Sequence, residues 1–287
     1  MIYKGSVVGV MAGNKRSIEE RMKKRMKKVV ITGGTRGIGL SMAKEFLKKG
    51  CKVTLTGRAT MASEELIMEL KPYEGSYQYV SCNVQHISEI EALWEAAAKQ
   101  WGGIDIWVNN AGQNVPHEFC YNTEASYVDA VIDTNIKGVI YGCQIAAKQM
   151  LLQGYGQIWN MEGLGSNDMI QVKTVLYGTT KRALTYFTRG LAKELKGTPV
   201  MAGLLSPGMV LTEFMTKTPE GETSPVLQDK SFQFIFNNVG DRPETVAAFF
   251  IPRILANRKN DAHIEWLTNA KFILRMMKAP FVKRRLI

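Results

Sequence analysis

The sequence holds 287 residues, 45% of them hydrophobic and 22% charged, with a formal net charge of +11. That is enough apolar material for one large α/β domain or two small ones, and it excludes a chain too polar to bury a core. The excess charge sits at the ends: nine Lys/Arg against two Glu in residues 1–28, and nine against Asp261 and Glu265 in residues 252–287. Such ends meet solvent, a membrane surface or an acidic partner. The cations are not interleaved with aromatic stacking platforms, so nucleic acid is not an expected partner.

In chain order, residues 1–27 read as a basic extension. Their opening MIYKGSVVGVMAG is too short an apolar run for a signal peptide, and nowhere do about 18 apolar residues run together as a spanning helix requires. A cytoplasmic, possible membrane-peripheral, location is the expectation. From Lys28 onward, short β-rich runs (28–32, 52–56, 77–82, 104–109, 156–161, 200–206 and 263–268) alternate with helical patterns near 38–49, 61–71, 87–101, 123–152, 175–196 and 242–257. Several of the runs are almost continuously apolar, as in parallel strands covered on both faces. This alternation predicts an α/β fold over residues 28–269: a single doubly wound Rossmann-type domain, with a parallel sheet of about seven strands and helices on both faces. Residues 216–238, with Pro219, Gly221 and Pro225, read as an irregular lid. Residues 270–287 read as a basic amphipathic tail in which Lys271, Arg275 and Lys278 share a helical face, suited to packing on this or a second subunit or to an anionic membrane. Cys51, Cys82, Cys120 and Cys143 lack CxxC spacing and fit a reducing compartment; His86, His117 and His263 are too dispersed to suggest a metal site.

Four motifs carry chemistry. TGGTRGIG, Thr32 to Gly39, follows the first strand and opens a helix. Its Gly33, Gly37 and Gly39 allow a tight turn and close backbone approach, and with Thr35, Arg36 and Ile38 they place a helix N-terminus against a pyrophosphate. The second strand ends in Thr-Gly-Arg without the acid that holds a ribose 2′-hydroxyl. Arg58 and Arg36 would instead meet a 2′-phosphate, so NADP is the expected cofactor. Asn110, Ala111 and Gly112 of NNAG floor a cofactor pocket or make an ordinary turn. In YGTTK, Tyr177 and Lys181 stand one helical turn apart on one face, where an ammonium favours the phenolate and makes a tyrosine usable for proton transfer.

Together with Asn135 in DTNIKG and PGMVLT (Pro207 to Thr212), these motifs over residues 28–270 resemble the short-chain dehydrogenase/reductase family. The resemblance implies that Tyr177 is the general acid/base, Lys181 holds the nicotinamide ribose and lowers the tyrosine pKa, and Asn135 keeps a relay water. It also sets Pro207, Gly208, Val210 and Thr212 against the nicotinamide and Asn83-Val84 at the adenine. A small-molecule carbonyl substrate and a homo-oligomer follow from the same likeness. The family's polarising serine would fall at Gly163 or Leu164, neither of which has a hydroxyl; Ser166 is the nearest replacement and Glu162 the nearest ionisable group. IWNMEGLGS, LSPGMVLTEF and IEWLT narrow the resemblance to the chlorophyll b reductase branch, which reduces a formyl group on a tetrapyrrole. The expected function is an NADP(H)-dependent oxidoreductase acting on a carbonyl or alcohol. The alternatives are a formyl reductase of that branch working at a membrane surface, and a cofactor-binding regulator with weak catalysis.

Overall fold

The computed structural model describes residues 26–287. The expected extension therefore lies outside the described residues up to Arg25. Its last residue, Lys27, already belongs to the domain, since Nζ pairs at 3.0 Å with the buried carboxylate of Asp105.

Seven strands make one parallel sheet: β1 (Lys28–Ile31), β2 (Lys52–Gly57), β3 (Tyr77–Ser81), β4 (Ile106–Asn109), β5 (Gly156–Met161), β6 (Val200–Ser206) and β7 (Ala262–Glu265). Their order is β3-β2-β1-β4-β5-β6-β7. Helices α1 (Gly37–Lys48), α2 (Glu64–Leu70), α3 (Ile87–Trp101), α4 (Ala125–Ile132), α5 (Gly138–Gln153), α6 (Val175–Glu194), α7 (Glu213–Thr216), α8 (Lys230–Val239), α9 (Pro243–Ala256) and α10 (Asn269–Lys278) complete the described elements, with three short 3-10 turns. Successive strand side chains point to opposite faces, so each strand feeds two cores. Val29 and Ile31 join Phe46 of α1 and Phe250 of α9 on one face. Val30, Trp107 and Ile158 join Leu93 of α3, Met150 of α5 and Leu184 of α6 on the other. Strand order reverses between β1 and β4, which opens a crevice at their carboxyl ends. The glycine motif and NNAG both lie there.

Two elements depart from the sequence reading. The expected helix 123–152 is interrupted by a π turn over Asp133–Lys137, which holds Asn135. Such a widened turn re-aims a side chain and often marks a functional position. Residues 216–238 are more ordered than their Pro and Gly suggest: a 3-10 turn spans Pro225–Gln228, and α8 is capped by Asp229, whose Oδ1 accepts from the Ser231 and Phe232 amides. The tail packs on its own chain, one of the readings its sequence allowed. Asp241, 5% exposed, receives Arg275 of α10 and, at 3.1 Å, Arg284. Among the described residues no helix is long and apolar enough to cross a membrane.

Candidate active site

The crevice begins with the glycine turn after β1. Gly33 and Gly37 adopt φ of +62° and +57°, where an L side chain is strained. A Cβ on Gly33 would stand 2.8 Å from the Ala111 Cα, and one on Gly39 would overlap the Gly33 carbonyl and the Asn110 amide. Asn110 is the clamp of this turn: Nδ2 donates to the carbonyls of Thr32 (3.0 Å) and Gly33 (2.9 Å). Thr32 Oγ1 in turn accepts from the Asn110 and Ala111 amides. The NNAG segment thus builds the loop rather than merely ending a strand. Arg36, the N-cap of α1, makes no side-chain bond to the helix. The first-turn N–H groups and positive end of α1 face the cleft, which suits a pyrophosphate. On the far side of the cleft Thr212 lies 3.3 Å from where a Gly37 Cβ would be.

At the other end of the crevice, α6 carries Tyr177 and Lys181 on one face. The Tyr177 hydroxyl, on a half-buried ring, has no hydrogen-bond partner among the described residues, and burial raises its pKa. Lys181 is 4% exposed, and its Nζ donates to the Met161 carbonyl at the end of β5 (3.1 Å) and lies 5.7 Å from the Tyr177 ring centre. Burial pushes the ammonium down to about 8, opposed by the negative charge of Glu162. Asn135 is fully buried: Oδ1 accepts from the Gln113 amide (2.7 Å), and Nδ2 donates to the Gln113 carbonyl (2.9 Å) and to Thr180 Oγ1 (3.1 Å). Thr180 Oγ1 passes a bond to the Tyr177 carbonyl (2.7 Å). The π turn, the 113 loop and the first turns of α6 are thereby locked together.

The loop after β5 accounts for the missing serine. A Cβ at Gly163 would collide with the Tyr177 hydroxyl. Glycine lets the backbone pass directly under the tyrosine, in space that a serine would fill. Ser166, the expected replacement, is buried in the loop: its Oγ accepts from the Gly163 amide (3.2 Å) and donates to the Lys181 carbonyl (3.4 Å), with the residue 6% exposed. It staples the loop to α6. Glu162 is 5% exposed, accepting from Thr185 Oγ1 (2.8 Å) and contacting His263 Nε2 of β7 (2.8 Å). Burial alone would raise its pKa, but the bonds from His263 and Thr185 and the imidazolium charge outweigh this and hold it below the ordinary value.

Other expected residues fare unevenly. Arg58 is exposed just beyond β2, next to Gly57, where a Cβ would lie 2.8 Å from Thr35 Cγ2. Arg36 instead reaches across the mouth to Glu213 of α7 (2.9 Å), so a 2′-phosphate would have to compete for it. Asn83 Oδ1 already accepts from the Gln85 amide (3.2 Å), which leaves one lone pair for an adenine amino group, and Val84 packs against Gly138. Gly208 takes φ +70°, and Val210 is buried where it bridges Asp241. Ile38 lies in the first turn of α1. Gly112 borders both Asn135 and Lys181. Sequence reasoning missed Phe214 of α7, whose ring stands 5.6 Å from that of Tyr177. The only local signal was an aromatic two residues after Thr212.

A glycine turn on a helix N-terminus, joined across a parallel sheet to a Tyr–Lys pair, defines a dinucleotide-dependent oxidoreductase of short-chain type. The short chain dehydrogenase family model matches residues 27–223, and the chain belongs to that family. Within it, the chain falls in the branch of the chlorophyll(ide) b reductases. It is 33% identical to chlorophyll(ide) b reductase NOL of Oryza sativa subsp. japonica, over 85% of this chain and 72% of the relative. It is 29% identical to the probable chlorophyll(ide) b reductase NYC1 of Arabidopsis thaliana, over 94% of this chain. The chain spans 56% of the length of that relative. Among solved structures, the closed form of serine dehydrogenase complexed with NADP+ superposes with a TM-score of 0.72 at 27% identity, covering 83% of this chain and 93% of the other. ElxO with NADP bound gives 0.74 at 25% identity, covering 87% and 100%.

Proposed function

We propose that this protein is an NADP(H)-dependent reductase of a carbonyl group, with Tyr177 as proton donor. The observation that carries the reading is the free Tyr177 hydroxyl, held over Gly163 and one helical turn from the buried Lys181. The residues fit a dinucleotide: the turn at Gly33 and Gly39 has no room for a Cβ, and the end of α1 is uncapped by any side chain. Gly33 to Gly39 would hold the pyrophosphate, Arg58 the 2′-phosphate, Asn83-Val84 the adenine, and Pro207 to Thr212 the nicotinamide end. When bound, the cofactor supplies a hydride to the carbonyl carbon. Tyr177 gives its proton to the carbonyl oxygen, so that an alcohol forms and a phenolate is left. Lys181 holds positive charge beside that phenolate and favours its formation. Asn135 fixes the 113 loop and Thr180, keeping the tyrosine's path for reprotonation in place. Phe214 covers the Tyr177 ring and limits water there.

A second reading names the substrate class: a formyl group on a chlorophyll(ide)-type tetrapyrrole. Its support is the 33% identity, over 85% of this chain, to a relative that carries that name. Assembly as a homo-oligomer belongs to the same family likeness. The test is NADPH oxidation across simple aldehydes and chlorophyllide b, with Tyr177→Phe alongside. The variant is expected to lose turnover while still binding NADPH; undiminished turnover would sink the assignment. NADPH binding without oxidation on any carbonyl would instead favour a cofactor-binding regulator.

A further inference from the structure

Helix α10 is mounted the wrong way round for an ordinary surface helix. Amphipathic helices turn apolar side chains to the core and cations to water. Here the cations face inward: Lys271 lies over the Trp266 ring and Arg275 binds Asp241, with Arg284 of the tail adding a second bond to the same carboxylate. Arg284 also donates to the Asn238 and Gly240 carbonyls, and the Leu286 and Ile287 amides donate to Asn237 Oδ1. The outward side shows Ile273, Leu274, Met277, Phe281 and Val282, with Met277 61% and Phe281 86% exposed. Beside them Lys278, Lys283 and Arg285 are exposed and pair with no carboxylate among the described residues. No Asp or Glu occurs in residues 269–287.

We propose that this face docks on an anionic lipid bilayer, its apolar side chains entering the interface while Lys278, Lys283 and Arg285 meet headgroup phosphates. Scattered apolar side chains need no explanation, but five exposed ones within residues 273–282, in a stretch that also carries three cations paired with no carboxylate among the described residues, do. Charge argues against the other occupants. A second copy packed on the same patch by twofold symmetry would bring like cations together. Residues 1–25, with seven Lys/Arg against two Glu, carry the same sign. The surface is also pre-organised, because buried Asp241 fastens the tail on one side. On the other side its backbone bonds Met209 and Leu211 of the PGMVLT segment (3.0 and 2.9 Å). The docking face and the PGMVLT segment are thus joined through one buried residue, Asp241.

The test is co-sedimentation of the full chain with vesicles of equal phosphatidylglycerol and phosphatidylcholine, and with phosphatidylcholine alone. Binding is expected on the anionic vesicles, at least tenfold weaker on the neutral ones. It should fall at least tenfold again in the Met277→Glu, Phe281→Glu double variant at unchanged melting temperature. Should that variant melt early, Phe281→Gln takes its place. Equal binding to both vesicles, or undiminished binding of the patch variants, would overturn the proposal. So would a dimer in vesicle-free solution that the same variants dissolve. The readout needs no turnover, so it stands or falls apart from the reductase reading.

Discussion

Glu162 Oε2 lies 2.8 Å from His263 Nε2, joining the residue after β5 to β7. A buried carboxylate is costly unless it is paired and hydrogen-bonded, and this one is both. Its negative charge raises the Lys181 pKa against the burial that lowers it to about 8. The reductive kcat/KM should therefore decline on the basic side near pH 8, as Lys181 loses its proton. In Glu162→Gln the support is gone, so that basic limb should move to lower pH. A pH profile of kcat/KM reads the shift, and an unmoved limb would show that Glu162 acts only as a structural staple.

The same pair predicts how stability varies with pH. His263 is raised above its ordinary 6.5, chiefly by the bond to Glu162, so its contribution is complete below 6.5 and disappears as pH rises through the folded value. Glu162 is lowered below 4.5, so its contribution is present above 4.5 and lost as pH falls through the folded value. The difference in melting temperature between the wild type and His263→Gln should be greatest between about pH 4.5 and 6.5 and shrink toward pH 9. A difference that grows with pH would contradict the ionised pair.

Restoring a serine where the family expects one should harm this enzyme. Gly163→Ser places a Cβ against the Tyr177 hydroxyl, and displacing the proton donor costs about 10- to 100-fold in kcat. Ser166→Ala, by contrast, removes loop hydrogen bonds worth roughly 1 kcal/mol of stability. It should leave kcat within about threefold, below the loss expected of a missing oxyanion donor. Steady-state kinetics of the two variants, with thermal melts, decide whether Ser166 polarises substrate.

Coenzyme preference should reside in Arg58 more than in Arg36, because Arg36 is already engaged by Glu213. Loss of a charge-assisted bond to the 2′-phosphate costs about 1.5–3 kcal/mol, so Arg58→Ala should raise KM for NADPH roughly 10- to 100-fold with little change for NADH. Glu213→Gln, which releases Arg36, should lower KM for NADPH modestly. Equal losses on both coenzymes in Arg58→Ala would place that arginine outside the 2′-phosphate site.

Local patterns were enough for much of this. Runs such as KVVI carry apolar residues on both faces, and a strand buried on both faces has to be central in a parallel sheet. Tyr177 and Lys181 are four apart, and helical geometry alone puts them on one face. What periodicity cannot supply is the partner of each face. Glu162 and His263 are 101 residues apart, and only the β5-β6-β7 order brings them together. Periodicity likewise showed that Lys271, Arg275 and Lys278 share a helical face, but it could not show that Lys271 and Arg275 would turn inward. That depended on Trp266, whose ring and carbonyl take Lys271, and on Asp241, a carboxylate buried where its backbone pairs with Met209 and Leu211 after β6, which binds the Arg275 guanidinium more strongly than water competes for it.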